Sequence, residues 1–165
     1  MIALAGFGFV GKAHYDVFKG HFDFEIVDPL HNNTKLEKLE NVEAVICCVP
    51  TPEDSNGGCD ITNVIDVLSK SPKDVPILIK STIDLNGWNQ IKDKFPAHNI
   101  TFSPEFLRAI SSTTDLADTN QFILAGETFS SGETFIKSIT TDPSFCFYQL
   151  KKQYLLSISE MDFKL

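Results

Sequence analysis

Ile2-Ala3-Leu4-Ala5-Gly6-Phe7-Gly8-Phe9-Val10-Gly11 decides the reading of this chain. The first four residues form a short apolar run of the kind that makes a buried strand. Gly6, Gly8 and Gly11 follow at the spacing of a tight turn that opens a helix, expected over residues 9–19. Such a turn lets an anion approach bare backbone at a helix N-terminus, where N–H groups and the helix dipole favour negative charge. The next apolar run, Phe24-Glu25-Ile26-Val27, reads as a second strand that ends in Asp28. A carboxylate at the tip of the second strand, about 20 residues past the glycines, is placed to accept from a ribose 2′-OH. The same acid disfavours a 2′-phosphate. Glycine loop and Asp28 together predict a dinucleotide site; the alternative is a glycine turn in some other α/β protein, with Asp28 a solvated strand end.

The rest of the chain continues the alternation. Strands are expected at 2–5, 24–27, 43–48, 76–80, 100–102, 121–125 and 145–149, and helices at 9–19, 60–70, 86–94 and 130–138. Ala44-Val45-Ile46-Cys47-Cys48 and Ile77-Leu78-Ile79 are unbroken apolar runs, which suit a parallel sheet covered on both faces. The pattern predicts an α/β fold: a doubly wound, Rossmann-like, mostly parallel sheet with helices on both faces. One domain is expected over residues 1–150, with 151–165 as the start of a further helix or a disordered tail.

Ligands of such sheets bind beyond the carboxyl ends of the strands, and each strand end carries a distinctive string. After the third comes Val49-Pro50-Thr51-Pro52, held extended by its prolines. It reads either as a cleft wall with the Thr51 hydroxyl near a ribose or phosphate, or as a rigid connection. Asp60 is expected to cap a helix starting at Ile61. After the fourth strand comes Lys80-Ser81-Thr82-Ile83, whose hydroxyls can bond a cofactor, orient a water or cap the next helix. After the fifth comes Ser103-Pro104-Glu105-Phe106-Leu107-Arg108. A proline fixes the backbone before Glu105 and two apolar residues anchor it behind, a way to hold a reacting carboxylate at a cleft. The alternative is a solvated Glu105 paired with Arg108.

Composition narrows the partners. With a net charge of −8, a nucleic-acid backbone or an anionic membrane is not expected as a partner. No apolar run approaches the roughly 18 residues of a membrane span. Met1 leads directly into the first strand, so no signal peptide is expected and the compartment is expected to be cytoplasmic. Cys47, Cys48, Cys59 and Cys146 fit neither a zinc site nor a disulfide framework. They are read as reduced structural thiols, with Cys47 and Cys48 on opposite faces of their strand. Cys59 lies in a polar loop with only a helix start to lower its pKa, and is not read as a nucleophile. The four histidines show no ligand spacing, so no metal is expected.

Taken in order, these strings resemble the N-terminal domain of the UDP-glucose/GDP-mannose dehydrogenase family. The resemblance rests on Gly6 to Gly11, Val27-Asp28, Val49-Pro50-Thr51-Pro52, Asp60, Lys80-Ser81-Thr82-Ile83, Ser103-Pro104-Glu105-Phe106-Leu107, and Asp115-Leu116 before Phe122-Ile123-Leu124-Ala125-Gly126. The family oxidises the C6 alcohol of a nucleotide sugar to a carboxylate in two NAD-dependent steps. The resemblance implies that Gly6, Phe7, Gly8, Phe9, Val10 and Gly11 hold the pyrophosphate and Asp28 the adenosine ribose. Val49, Pro50, Thr51, Ser81 and Thr82 would line the remaining cofactor. Thr82 would also position a catalytic water. Glu105 would assist proton transfer or water activation, and Glu105, Phe106, Leu107 and Arg108 would meet the sugar.

The chain departs from the family pattern in places. Ala109 and Ile110 stand where the family continues with Glu and Gly, and Gln121 where an Arg is common. The family's lysine and asparagine lie on a central helix and its cysteine nucleophile in a second domain. Lys164 is the candidate for that lysine, and none of the four cysteines has the nucleophile's setting. The expectation is an NAD-binding domain of a truncated or split enzyme, inactive alone, with a homodimer possible through the C-terminal segment. A non-catalytic dinucleotide-binding module and a β-hydroxyacid dehydrogenase relative are the alternatives.

Overall fold

The computed structural model describes residues 1–119, 121–125 and 146–149. Strands β1 (Ile2–Ala5), β2 (Phe24–Val27), β3 (Ala44–Cys47), β4 (Pro76–Ile79) and β5 (Asn99–Phe102) form a five-stranded sheet in the order β2-β1-β3-β4-β5. Every pairing in it is parallel, with Ile2 opposite both Phe24 and Ala44. Helix α1 (Phe9–Phe18) links β1 to β2, α2 (Thr62–Lys70) links β3 to β4, and α3 (Leu85–Lys94) links β4 to β5. A short 3-10 turn at Leu36–Lys38 lies between β2 and β3. Helix α4 (Ser112–Asp118) then leads to β6 (Gln121–Leu124), which pairs in parallel with β7 (Cys146–Gln149) as a separate two-stranded sheet. Phe102 and Ala125 exchange two backbone hydrogen bonds of 2.8 Å, tying the end of β5 to the end of β6.

The period of the strands divides the core in two. Ala3, Ala5, Val45, Cys47, Ile77 and Ile79 face Val64 and Leu68 of α2 and Trp88 and Ile91 of α3. Ile2, Leu4, Ala44, Ile46 and Leu78 face Ala13 and Phe18 of α1 and Leu116 of α4. Each fully buried Val, Leu or Ile side chain among these contributes roughly 1.5–3 kcal/mol. Because both faces are covered, the strands need apolar residues at every position, which is why the runs are continuous rather than alternating.

The expected elements recur with shifted ends. Strand β3 stops at Cys47 rather than residue 48, and β4 at Ile79 rather than residue 80. Strand β6 ends at Leu124 and β7 begins at Cys146. Helix α2 begins at Thr62, one residue later than expected, and its N-cap position is Ile61. Asp60 still supplies the local acceptor: its Oδ1 takes the Thr62 N–H at 2.9 Å and the Thr62 hydroxyl. Cys47 lies in one core cluster and Cys48 packs against the other, as opposite faces require. The helix expected at 130–138 and the segment 151–165, with Lys164, lie outside the described residues.

Candidate functional site

The glycine loop, Asp28, Val49 to Thr51, Lys80 to Thr82 and the loop of Glu105 lie at the carboxyl edge of the five-stranded sheet. They enclose a cleft of about 690 Å³ lined by Gly6 to Val10, Asp28, Val49 to Thr51, Lys80 to Thr82, Glu105 and Leu107. A second cavity borders Asp28, Asn32 and Lys35 beyond β2.

The three glycines of the loop have different reasons to be glycine. Gly6 adopts φ +90°, and a Cβ on it would meet the Cys48 carbonyl oxygen at 2.6 Å. Gly11 lies in the first turn of α1, where a Cβ would overlap the Gly6 carbonyl oxygen and stand 3.5 Å from Cys48 Cβ. Both are demanded by the fold. Gly8 is extended, with φ −70° and ψ −166°, and a Cβ on it would have nothing within 4 Å. The fold therefore tolerates a side chain there; what a side chain would occupy is the cleft. Gly8 is also the N-cap of α1, and no side chain caps the helix, so its first N–H groups open toward the same space.

Asp28 holds the loop from the side. Its Oδ2 accepts the Phe7 N–H at 2.6 Å and its Oδ1 the Leu30 N–H at 2.8 Å. One lone pair per oxygen remains for a ligand hydroxyl. His31, not singled out in the sequence, packs at a tilt against Phe7 with ring centroids 4.7 Å apart and also lines the cleft.

Thr51 and Ser81 use their hydroxyl protons within the protein. The Thr51 hydroxyl donates to the Thr82 carbonyl at 2.7 Å, and the Ser81 hydroxyl to the Val49 carbonyl at 2.7 Å. These bonds tie the segment after β3 to the segment after β4. Val49 to Thr51 is thus both the rigid connection and the cleft wall. Thr82 is exposed and lines the cleft.

Glu105 is not a solvated acid paired with Arg108. Its side chain is only 11% exposed and its Oε1 forms an ion pair with the ammonium of Lys80. Lys80, 3% exposed, also donates to Ser103 Oγ at 2.9 Å. His14 Nε2 stands 3.4 Å from the same Glu105 oxygen, while His14 Nδ1 pairs with the Val10 carbonyl at 2.9 Å. Burial and the neighbouring Lys80 push His14 down to about 3, so it is neutral at physiological pH. Burial pulls Lys80 down to about 7, while the carboxylate in contact with it favours the charged form.

Arg108 does not line the cleft. Its guanidinium grips Asp115 with Nη2–Oδ1 at 2.7 Å and Nε–Oδ2 at 3.1 Å, and its N–H donates to Asp115 Oδ2 at 3.0 Å. That pair fastens the loop after β5 to α4 and holds the Asp115 carboxyl well below its usual range. Phe106 is 73% exposed and borders a smaller adjoining cavity together with Lys80, Glu105, Leu107 and Leu116. Burial pushes the Cys47 thiol up to about 11 and the Cys48 thiol further up. Among the described residues no three His, Cys, Asp or Glu side chains converge as a metal site, and no helix is long and apolar enough to cross a membrane.

Comparison with known proteins agrees with this architecture. Residues 23–140 match the UDP-glucose/GDP-mannose dehydrogenase family, NAD binding domain. A UDP-glucose 6-dehydrogenase of Campylobacter jejuni is 27% identical over 135 residues, 77% of this chain and 34% of the relative. One of Rickettsia felis is 34% identical over 94 residues, 52% of this chain and 20% of the relative. The chain thus spans about a third or less of the length of these relatives. The crystal structure of a GDP-mannose dehydrogenase from Pseudomonas aeruginosa superposes with a TM-score of 0.77, over 96% of this chain and 48% of that one. At 14% identity that likeness concerns the fold. With most of its length matching the family and its glycine loop, Asp28 and strand-end strings gathered at one cleft, the chain belongs to the UDP-glucose/GDP-mannose dehydrogenase family and carries its NAD-binding domain.

Proposed function

We propose that the chain binds NAD along the carboxyl edge of the sheet and serves as the cofactor half of a nucleotide-sugar 6-dehydrogenase of the UDP-glucose type. The observation that carries the reading is Gly8: the fold leaves room for a side chain and the sequence keeps the space empty, as backbone contact with a pyrophosphate requires. Strand ends β2, β1, β3, β4 and β5 succeed one another along this edge, spanning about 19 Å at the usual strand spacing. A dinucleotide laid along it places its ribose at Asp28 and its pyrophosphate on Gly6 to Gly11. Its far end then runs past Val49, Pro50 and Thr51 toward Ser81, Thr82 and Glu105.

NAD, when bound, supplies the hydride acceptor. The residues of this chain do the rest of the work assigned to them here. Asp28 accepts from the ribose. The exposed Thr82 hydroxyl orients a water at the inner end. Glu105, shielded and backed by Lys80, handles the proton that leaves the sugar hydroxyl. Phe106 and Leu107 border the sugar side. Arg108, engaged by Asp115, serves the shape of that loop rather than the substrate directly.

Oxidation beyond the aldehyde requires a thiol nucleophile. Cys47 and Cys48 are thiols at neutral pH because of their burial, and Cys59 sits in the polar turn outside the cleft lining. With no such thiol nucleophile at the cleft among the described side chains, the 165-residue chain on its own is expected to bind NAD without forming a uronic acid. The test is calorimetric titration with NAD, comparing the natural chain with Gly8→Ala. Saturable binding that Gly8→Ala weakens at least tenfold, with unfolding unchanged, supports the reading. Equal binding by both proteins sinks it.

A further inference from the structure

Lys80 is the one buried lysine or arginine among the described residues. Removing an ammonium from water costs several kcal/mol even after relaxation. A methionine would fill the same channel without that cost, so packing does not explain the charge. Its surroundings do. Lys80 follows β4 directly and lies in the floor shared by the cleft and the adjoining cavity.

Three elements bring polar groups to it. The loop after β5 brings Ser103 Oγ at 2.9 Å and the Glu105 carboxylate in ion-pair contact. Helix α1 brings His14, whose Nε2 approaches the same Glu105 oxygen at 3.4 Å. The end of β3 brings Cys48. His14 and Cys48 are both neutral at pH 7, for the burial reasons given above. The exchangeable charge of the cluster thus rests on Lys80 and Glu105.

We propose that Lys80 is a positioning residue whose ammonium, seated on Ser103 Oγ, fixes the Glu105 carboxylate at the inner end of the cleft, the two side chains holding and releasing one proton as a unit. The proposal rests on the NAD reading above for what occupies the cleft. Oxidation of an alcohol sends a hydride from carbon to the nicotinamide and a proton from oxygen elsewhere. In this cleft the proton passes to Glu105 and on to the Lys80 amine, which restores the ammonium–carboxylate pair. Atoms and charge balance with no further reactant.

The nicotinamide ring is cationic in NAD and neutral in NADH, so only the oxidised cofactor drives the proton off the pair. The test is calorimetry of the whole chain at pH 7, in two buffers of different ionisation enthalpy. Because burial lowers Lys80 toward neutrality, NAD binding is predicted to release a fraction of one proton per NAD bound. NADH should release none. Lys80→Met and Glu105→Gln should each abolish the release, and the second serves if the first does not fold. NAD binding without proton release, or release that survives both substitutions, overturns the proposal while leaving the cofactor reading intact. If neither nucleotide binds, the cofactor reading fails and the pair is judged by ¹³C NMR of the lysine Cε. A Lys80 midpoint that drops on Glu105→Gln supports the coupled pair, and an unmoved midpoint refutes it.

Discussion

Replacing Gly11 by alanine tests how the glycine loop is built. A Cβ at this position overlaps the Gly6 carbonyl and comes 3.1 Å from the Gly6 carbonyl carbon. Gly6 has no room to retreat. Its N–H is bonded to the Val27 carbonyl at 3.0 Å, and the Cys48 carbonyl lies behind it. Either α1 or the loop must move. Overpacking of this kind costs about 1–3 kcal/mol, and loss of the Gly6–Val27 bond adds about 1 kcal/mol. Alanine returns about 1 kcal/mol through its better helix propensity. The net expectation is a loss of about 2 kcal/mol, or roughly 4–8 °C in midpoint for a domain of this size. Gly8→Ala is the internal control, since its Cβ meets nothing, and should stay within about 0.5 kcal/mol. Urea and thermal unfolding followed by circular dichroism measure both. A Gly11→Ala protein as stable as Gly8→Ala would refute the account of the loop as a close-packed backbone crossing.

Three further outcomes follow from the same geometry. Asp28→Ala removes the acceptor for the Phe7 and Leu30 N–H groups; it should lower apo stability by about 2 kcal/mol as well as weaken NAD binding, and an unchanged urea midpoint would remove Asp28 from the loop's support. His14 is held near 3 in the folded chain and titrates near 6.5 when unfolded, so its contribution is complete above pH 6.5 and is lost as pH falls toward 3. About 2 kcal/mol should disappear between pH 6.5 and 5, and His14→Phe should flatten that slope; an equal slope in both proteins contradicts the assignment. Alkylation of the native protein at pH 8 should label Cys59 ahead of Cys47, whose burial holds it near 11; peptide mapping that finds Cys47 labelled as fast as Cys59 would show that this part of the core opens.

The strands were legible because a sheet covered on both faces demands unbroken apolar runs, and Ala44 to Cys47 and Ile77 to Ile79 supply them. The glycine loop and Asp28 were legible because few other residues satisfy that turn. Helix α4 was not. Ser112-Thr113-Thr114-Asp115 has poor helix propensity, and the helix exists because Leu116 is buried beside α1 and Asp115 is bonded to Arg108 and Ser111. The burial against α1 is a tertiary reason that no local window contains. Lys80 stands in the string Lys80-Ser81-Thr82-Ile83, where only the hydroxyls carry a local signal. Lysines are almost never fully buried unless paired, and its partner lies 25 residues away on the next strand end. Ser81 shows the converse: a hydroxyl expected at a cofactor spends its proton on the Val49 carbonyl.

The bonds from Thr51 to Thr82 and from Ser81 to Val49 join two neighbouring strand ends in the empty protein. The wall they form is finished before anything arrives. A visiting dinucleotide therefore orders little of the chain, and the entropy of association falls mainly on the ligand. The kinetic signature is simple. Mixing should give a single exponential whose rate rises in proportion to cofactor concentration, without the plateau that a slow closing motion imposes.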